Sequence, residues 1–305
     1  MELIKKCYRF FRDLFIKTMS TVSPVLATRF LYRSCFEKKL NLKSPQTFNE
    51  KIQWLKLNVY NNNELITRCV DKYAVREYVT EKGYASLLPQ LYKVCQSEQE
   101  ITKELWESLP DSFVMKCTHG CGANILCYSK KDSNIEVCKE FLGKCLSTDY
   151  WKKFAEIQYK GLKRNKRKII IEQNLGSDIK TIKFYCFYGE PKLCYMSSNG
   201  DTIEEKDKYV DFFDLTWKRL EIKFYGHTNY PGELLKPTRL GDMLDVCRKL
   251  SEDFPFVRVD LYYDFIHDEI YFSELTFVPT GGFMKIEPVE MLDKMGSWLS
   301  LESLY

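Results

Sequence analysis

Two acidic side chains near the C-terminal end sit where acidic residues are costly. Asp260 lies in the run FVRVDLY (256–262), and Glu274 lies in YFSELTF (271–277). Each run reads as a strand, and a carboxylate inside such a run is unfavourable unless it is paired or binds a metal. Arg258 and Asp260 are two residues apart, so both point to one face. A turn near His267-Asp268 returns the chain and can bring Glu274 beside them. A carboxylate pair next to an arginine suits Mg²⁺ bridging nucleotide phosphates. The same three residues also suit a structural ion-pair cluster.

A second group lies earlier in the chain. Lys116 interrupts the apolar run FVMKC (113–117), and a loop of small residues follows over Thr118–Asn124. Gly120 and Gly122 in that loop allow backbone N–H groups to turn towards phosphate oxygens. An ordinary turn beside a solvated lysine fits the same residues. Glu172-Gln173-Asn174-Leu175 ends the β-branched run KIIIE (168–172), and such a linker can offer backbone donors and acceptors to an adenine edge. Cys117, His119 and Cys121 invite a zinc reading, but structural zinc takes four closed ligands and no second pair stands at suitable spacing.

These residues need elements to hold them. The pattern predicts helices over residues 1–60, including one over Lys51–Leu57 with Thr47 or Asn49 as N-cap, and another from Asp71 to Glu81 ended by Gly83. It predicts an extended segment at Leu87–Leu91 and a hairpin of Phe113–Cys117 with Ile125–Tyr128. Helical stretches follow at Glu136–Leu146 and Tyr150–Phe154. A second hairpin joins Lys180–Phe187 to Lys192–Met196 through a turn at Gly189-Glu190-Pro191. Strands at Asp211–Leu215 and Trp217–Phe224, a helix at Leu240–Ser251 and the closing strand pair complete the reading. Hairpins with interposed helices imply an α+β fold.

Composition narrows the classes. A net charge of +4 spread over 305 residues is too mild for a nucleic-acid binder, and no nucleic-acid partner is expected. The run KGLKRNKRK (160–168) reads as a solvated loop or as a site for an anion. Twelve cysteines follow no disulfide framework and no signal peptide is evident, so a reduced cytoplasmic setting is expected. No run reaches the ~18 apolar residues of a membrane helix. Residues 1–20 nevertheless interleave apolar positions at helical spacing with Lys5, Lys6, Arg9, Arg12 and Lys17. Such a helix can lie at the inner face of the cytoplasmic membrane or pack on the body of the protein.

The order of these pieces resembles the TupA-like branch of the ATP-grasp superfamily. The likeness rests on SPQTFNEKIQWLKL, VDKYAVREYV, FVMKCTHGCGANI, IIIEQNL, KFYCFYGEPK, FFDLTWKRL and FPFVRVDLYYDFIHDEIYFSELTFVPTGGF, spanning roughly residues 44–290. The resemblance implies an α+β ATP-grasp fold, two lobes gripping ATP, with a helical N-terminal region at 1–65, a small lobe at 66–175 and a large lobe at 176–305. It implies that Lys72, Lys116 and Lys183 face phosphate, with Lys183 also catalytic. His119, Gly120 and Gly122 would belong to the loop over the phosphates, and Glu172, Gln173, Asn174 and Leu175 to the adenine hinge. Asp178 would meet the ribose hydroxyls. Asp260 and Glu274 would hold Mg²⁺, and Arg258 would stabilise the transferred phosphoryl group or the tetrahedral intermediate. Three positions depart from the family pattern: Thr181, Ser273 and Thr276 stand where Asp, Gly and Asn are usual.

The implied chemistry is an ADP-forming ligation through an acyl-phosphate, joining a carboxylate to an amine. The implied partners are a carboxylate-bearing saccharide, lipid-linked or polymeric, and an amine or amino acid, in surface polysaccharide biosynthesis. A glycosyltransferase and a degenerate binding module are the rival readings, and no Asp-x-Asp metal motif supports the first.

Overall fold

The computed structural model describes residues 2–120, 122–198 and 209–304 of the chain. Cys121 and residues 199–208 fall outside the described residues.

Five helices come first: α1 (Glu2–Val22), α2 (Pro24–Phe36), α3 (Phe48–Asn58), α4 (Glu64–Val70) and α5 (Val75–Glu81). Thr47 starts α3 with a capping box, its hydroxyl accepting from the Glu50 amide while the Glu50 carboxylate accepts from the Thr47 amide. Asn63 caps α4 with a single bond, its side chain accepting from the Ile66 amide. The helix expected from Asp71 starts only at Val75. The Asp71 carboxylate accepts the Tyr73 and Ala74 amides at 2.8 Å each, which holds a separate turn ahead of α5.

The next segment contains β1 (Leu91–Cys95), α6 (Lys103–Ser108), β2 (Phe113–Cys117), β3 (Asn124–Cys127), α7 (Ile135–Ser147) and β4 (Ile169–Gln173). The four strands form an antiparallel sheet in the order β1-β4-β2-β3. Alternation along β2 decides its two faces. Phe113, Met115 and Cys117 point with Ile169 and Ile171 into a core that includes Trp106 and Leu142, from α6 and α7. Val114 and Lys116 point the other way, beside Glu172 of β4 and Asn124 of β3. The extended segment expected at Leu87–Leu91 is displaced: Ala85–Leu87 makes a tight helical turn, and the strand begins at Leu91.

The remaining elements are β5 (Lys180–Phe187), β6 (Glu190–Ser198), β7 (Tyr209–Phe213), β8 (Lys223–Phe224), α8 (Leu240–Ser251), β9 (Phe256–Asp264), β10 (Glu269–Thr276), β11 (Ile286–Glu287) and α9 (Glu290–Ser297). A second antiparallel sheet runs β10-β9-β5-β6-β7, and β8 pairs with β11. Its core takes side chains from α3, α4, α5, α8 and α9, among them Phe48, Ile52, Tyr78, Met243 and Met295. The β5–β6 turn is Tyr188-Gly189, both with positive φ (50° and 81°), rather than Gly189-Glu190-Pro191. Two such residues match the right-handed twist of a tight hairpin. Of the strand expected over Trp217–Phe224, only Lys223–Phe224 forms a strand; Arg219 makes a single bridge to Phe213, and Trp217 stacks on the Phe213 ring with centroids 4.2 Å apart.

The basic run at 160–168 is partly structural. Arg167 is buried, donates to the carbonyls of Leu162, Leu146 and Thr148, and pairs with Asp149 at 2.6 Å. Among the described residues, no helix is long and apolar enough to cross a membrane.

Candidate active site

The two sheets meet across a cleft, and strand register decides which side chains reach it. Lys183 of β5 stands opposite Asp260 of β9, and Asp260 stands opposite Glu274 of β10. One step along, Arg258 faces Thr276. Cross-strand partners share a face, so these five residues form one polar patch on an otherwise apolar sheet. Glu274 reaches that face through a bulge at Ser273: Phe272 pairs with Leu261, yet Glu274 pairs with Asp260. Without the extra residue, Glu274 would turn to the opposite face.

Asp260 is fully buried and accepts from Arg258 twice at 2.6 Å, through Nε and one terminal nitrogen. Lys183 Nζ lies 3.2 Å from the same carboxylate. Arg258 also donates to the Thr276 hydroxyl at 3.0 Å, which donates to Glu274 at 3.1 Å. Burial opposes charge on Lys183, but Asp260 and Tyr195 outweigh it and raise its pKa. Burial opposes the charged form of Glu274 as well. Lys72, Lys183 and Arg258 outweigh it and bring this carboxyl down to about 2.

The small sheet supplies the facing wall. Lys116 Nζ sits 2.5 Å from Glu172, whose other oxygen lies 3.5 Å from Arg76. Burial opposes the Lys116 charge, and Tyr262 and Glu172 together overcome it, so this ammonium is also held charged. Lys72 Nζ donates to the Gly120 carbonyl at 2.6 Å, and its amide donates to Thr118 at 2.9 Å, anchoring the base of the glycine loop. Gly120 has φ +75°, and a Cβ there would lie 2.6 Å from the Tyr150 ring, so only glycine fits.

The cleft has two adjoining hollows that share Pro89, Lys116, Asn124, Glu172 and Tyr262. The polar one, about 440 Å³, is lined by Lys72, Arg76, Lys116 and Glu274. The larger, about 1050 Å³, is walled by Val114, Leu126, Tyr128, Ile179 and the segment Gln173–Ser177. An apolar slot beside an extended backbone segment, opening into a hollow rimmed by ammonium groups, is complementary to a nucleotide base followed by phosphates.

The structure therefore brings Lys72, Lys116, Glu172 and Glu274 to one hollow, with Gly122, Gln173, Asn174 and Leu175 at the other. Asp178 does not join them: it is exposed, and its neighbours Ser177 and Ile179 line the cleft instead. His119 does not either. It is buried, with Nε2 3.1 Å from the Thr148 carbonyl and its ring against Tyr150. Burial and then Arg167 push the imidazole down to about 4, so it folds neutral. An NMR titration of His119 is expected to give a midpoint near 4. Because the folded pKa is depressed for a base, this group removes stability as pH falls from about 6.5 towards 4. A midpoint at the ordinary imidazole value would show His119 open to solvent.

Sequence reasoning missed Arg76, Tyr262 and the apolar walls. The alternation of FVMKC and NILC carried the signal for the walls, since Val114 and Leu126 share the face of Lys116. Arg76 carried none, because its reach to Glu172 depends on the turn that precedes α5.

The donor set fits Mg²⁺ in a limited way. Mg²⁺ is usually held by one or two carboxylates, with phosphates and water completing the shell. Glu274 meets that need: it is ionised, lines the cleft and leaves 40% of its side chain exposed. Asp260 is already committed to Arg258 and Lys183, so a metal there would compete with those two cations. Among the described residues no three His, Cys, Asp or Glu side chains gather as metal ligands.

Two α+β lobes closed over a cleft, with a lysine from each and an Arg-x-Asp strand beside a Glu strand, define the ATP-grasp architecture. The TupA-like ATPgrasp family profile matches residues 50–299, and the chain belongs to that family. Similar solved structures include the L-amino acid ligase from Bacillus licheniformis, at 14% identity and TM-score 0.47, covering 77% of this chain and 49% of that one. The D-alanine–D-alanine ligase from Bacillus anthracis is 14% identical with TM-score 0.43, covering 77% and 68%. The chain thus spans about half the length of the first of these. No curated protein matches it.

Proposed function

We propose that the cleft binds ATP with Mg²⁺ and that the protein is a ligase activating a carboxylate as an acyl-phosphate for transfer to an amine. The observation that carries this reading is the convergence of Lys72, Lys116, Lys183 and Arg258 on the ionised Glu274, beside an apolar slot.

Gln173–Leu175 present backbone to the adenine edge, and Val114, Leu126 and Ile179 exclude water from its faces. Ser177 stands at the rim, where the ribose hydroxyls would lie. Lys116 and Lys183 take phosphate oxygens, and the Lys72-anchored loop covers them with backbone N–H groups. Glu274 and Asp260 would hold Mg²⁺, which when bound neutralises phosphate charge. A substrate carboxylate oxygen then attacks the γ-phosphorus while the bond to the β-phosphate oxygen breaks and ADP departs with the electron pair. Arg258 stabilises the charge on the group in transit. The amine nitrogen next attacks the acyl carbon, phosphate leaves and the amine loses a proton, forming an amide. The substrate class we favour is a uronic acid or amino acid used in surface polysaccharide biosynthesis.

Incubation with ATP, Mg²⁺ and hydroxylamine across a panel of uronic and amino acids tests this. A hydroxamate and ADP in equal amounts, dependent on one carboxylate, is the expected result. Sugar transfer from a nucleotide sugar without ATP would overturn it.

A further inference from the structure

The α1–α2 hairpin carries a surface that the cleft does not use. It lies outside the segment matched by the family, which begins at residue 50. One side is docked on the body. Ile16 and Ala27 are buried, the Ser20 hydroxyl donates to the Lys152 carbonyl at 3.2 Å, and Tyr32 and Phe36 pack on Phe283 with centroids 6.5 and 6.4 Å away. The other side is bare. Phe10, Phe11 and Leu14 are 65, 66 and 50% exposed, and Val22 and Leu26, at the turn between the helices, are 73 and 52% exposed. Phe10 and Leu14 are one turn apart, as are Phe11, Phe15, Thr18 and Val22, so these side chains form a stripe along α1.

Charge is concentrated at the same place. The first 43 residues contain ten Lys and Arg against three Asp and Glu, a charge of +7, whereas the whole chain carries +4, which leaves the remainder at −3. Arg29, Arg33, Lys39 and Lys43 line a groove of about 800 Å³ with no acidic residue in its wall. Among the described residues none of these four has a carboxylate within ion-pair distance. Single exposed apolar residues need no explanation, but a stripe of phenylalanines together with a cationic groove that has no carboxylate partner among the described residues does.

We propose that the α1–α2 hairpin is a docking element for an anionic lipid bilayer. The phenylalanine stripe enters the boundary between headgroups and acyl chains, and the groove of Arg29, Arg33, Lys39 and Lys43 takes lipid phosphate groups. Apolar insertion and electrostatic attraction together are what a peripheral helix needs, since either alone gives weak, reversible binding. A bilayer fits better than a protein partner because the two features are extended and chemically unselective. Through Tyr32 and Phe36 the hairpin is fixed to Phe283, in the loop that follows the strand of Glu274, so docking would hold one end of the cleft near the lipid surface. The inference goes beyond the ligase reading and is tested without it.

Sedimentation of the full chain with vesicles provides the test. Binding to phosphatidylcholine vesicles containing phosphatidylglycerol is expected, with little binding to phosphatidylcholine alone and clear weakening in added salt. Phe10→Ser/Phe11→Ser/Leu14→Ser and Arg29→Gln/Arg33→Gln/Lys43→Gln are each expected to lower partitioning by about tenfold or more, while the far-UV spectrum and melting temperature stay near those of the parent. Equal partitioning by parent and variants, or none on anionic vesicles at low salt, would overturn the proposal. So would a dimer in solution that the phenylalanine variant abolishes, since that would assign the stripe to a second copy of the chain.

Discussion

Glu274→Gln is expected to lower the rate of ADP formation by about 10²–10³-fold, the scale of losing several kcal/mol of charge stabilisation at a transferring phosphoryl group. The substitution keeps the size of the side chain and its hydrogen bond to Thr276, so the fold should survive it. What it removes is the exposed, ionised ligand of the cleft. A second readout separates this from simple damage. Glu274 has a depressed pKa, so it contributes stability that is present above about 4.5 and lost as pH falls towards about 2. Acid unfolding of the variant should therefore be shallower over that window than acid unfolding of the parent. Full activity in Glu274→Gln would remove this residue from the metal site.

Asp260→Asn is expected to act first on stability, by about 3–5 kcal/mol, because it strands the buried Arg258 and leaves the half-buried Lys183 without its partner. Arg258 directs two of its nitrogens at this carboxylate, and Lys183 leans on it at 3.2 Å. An amide can accept one of these bonds but supplies no charge. Urea denaturation measures the loss. The double change Arg258→Met/Asp260→Leu removes both charges and should recover most of the stability without recovering turnover. That pattern would show that the pair is a catalytic device held at some expense to the fold. If Asp260→Asn is as stable as the parent, Asp260 is not the anchor described here.

Much of this site could be read from the chain because polar residues stand out inside apolar strands. Lys116, Asp260 and Glu274 break runs that otherwise alternate or stay buried, and α8 appears where its amphipathic pattern places it, at Leu240–Ser251. Thr47 announces α3 through its partner Glu50. Other features depend on contacts that no local pattern encodes. The bulge at Ser273 that turns Glu274 onto the face of Asp260 is set by pairing with β9. The turn at Asp71, which delays α5 and positions Arg76, is made by one side-chain oxygen accepting two amides. His119 sits in the glycine loop by sequence but is drawn away from the cleft by Thr148 and Tyr150. Asp178 lies close in sequence to the hinge, yet the chain leaves it facing solvent. Spacing alone cannot decide such orientations.

The departures from the usual pattern also acquire a physical role. Thr276 accepts from Arg258 and donates to Glu274, so its hydroxyl links the buried cation to the exposed acid. Thr181 lines the larger hollow and Ser273 the polar one.

The central claim is that a Mg²⁺-bound triphosphate lies between the two sheets. A crystal structure with a non-hydrolysable ATP analogue and Mg²⁺ tests it most directly. The adenine is expected against Gln173–Leu175, with phosphate oxygens at Lys116 and Lys183 and the metal on Glu274. A nucleotide bound elsewhere, or a cleft that stays empty at saturating analogue, would contradict it.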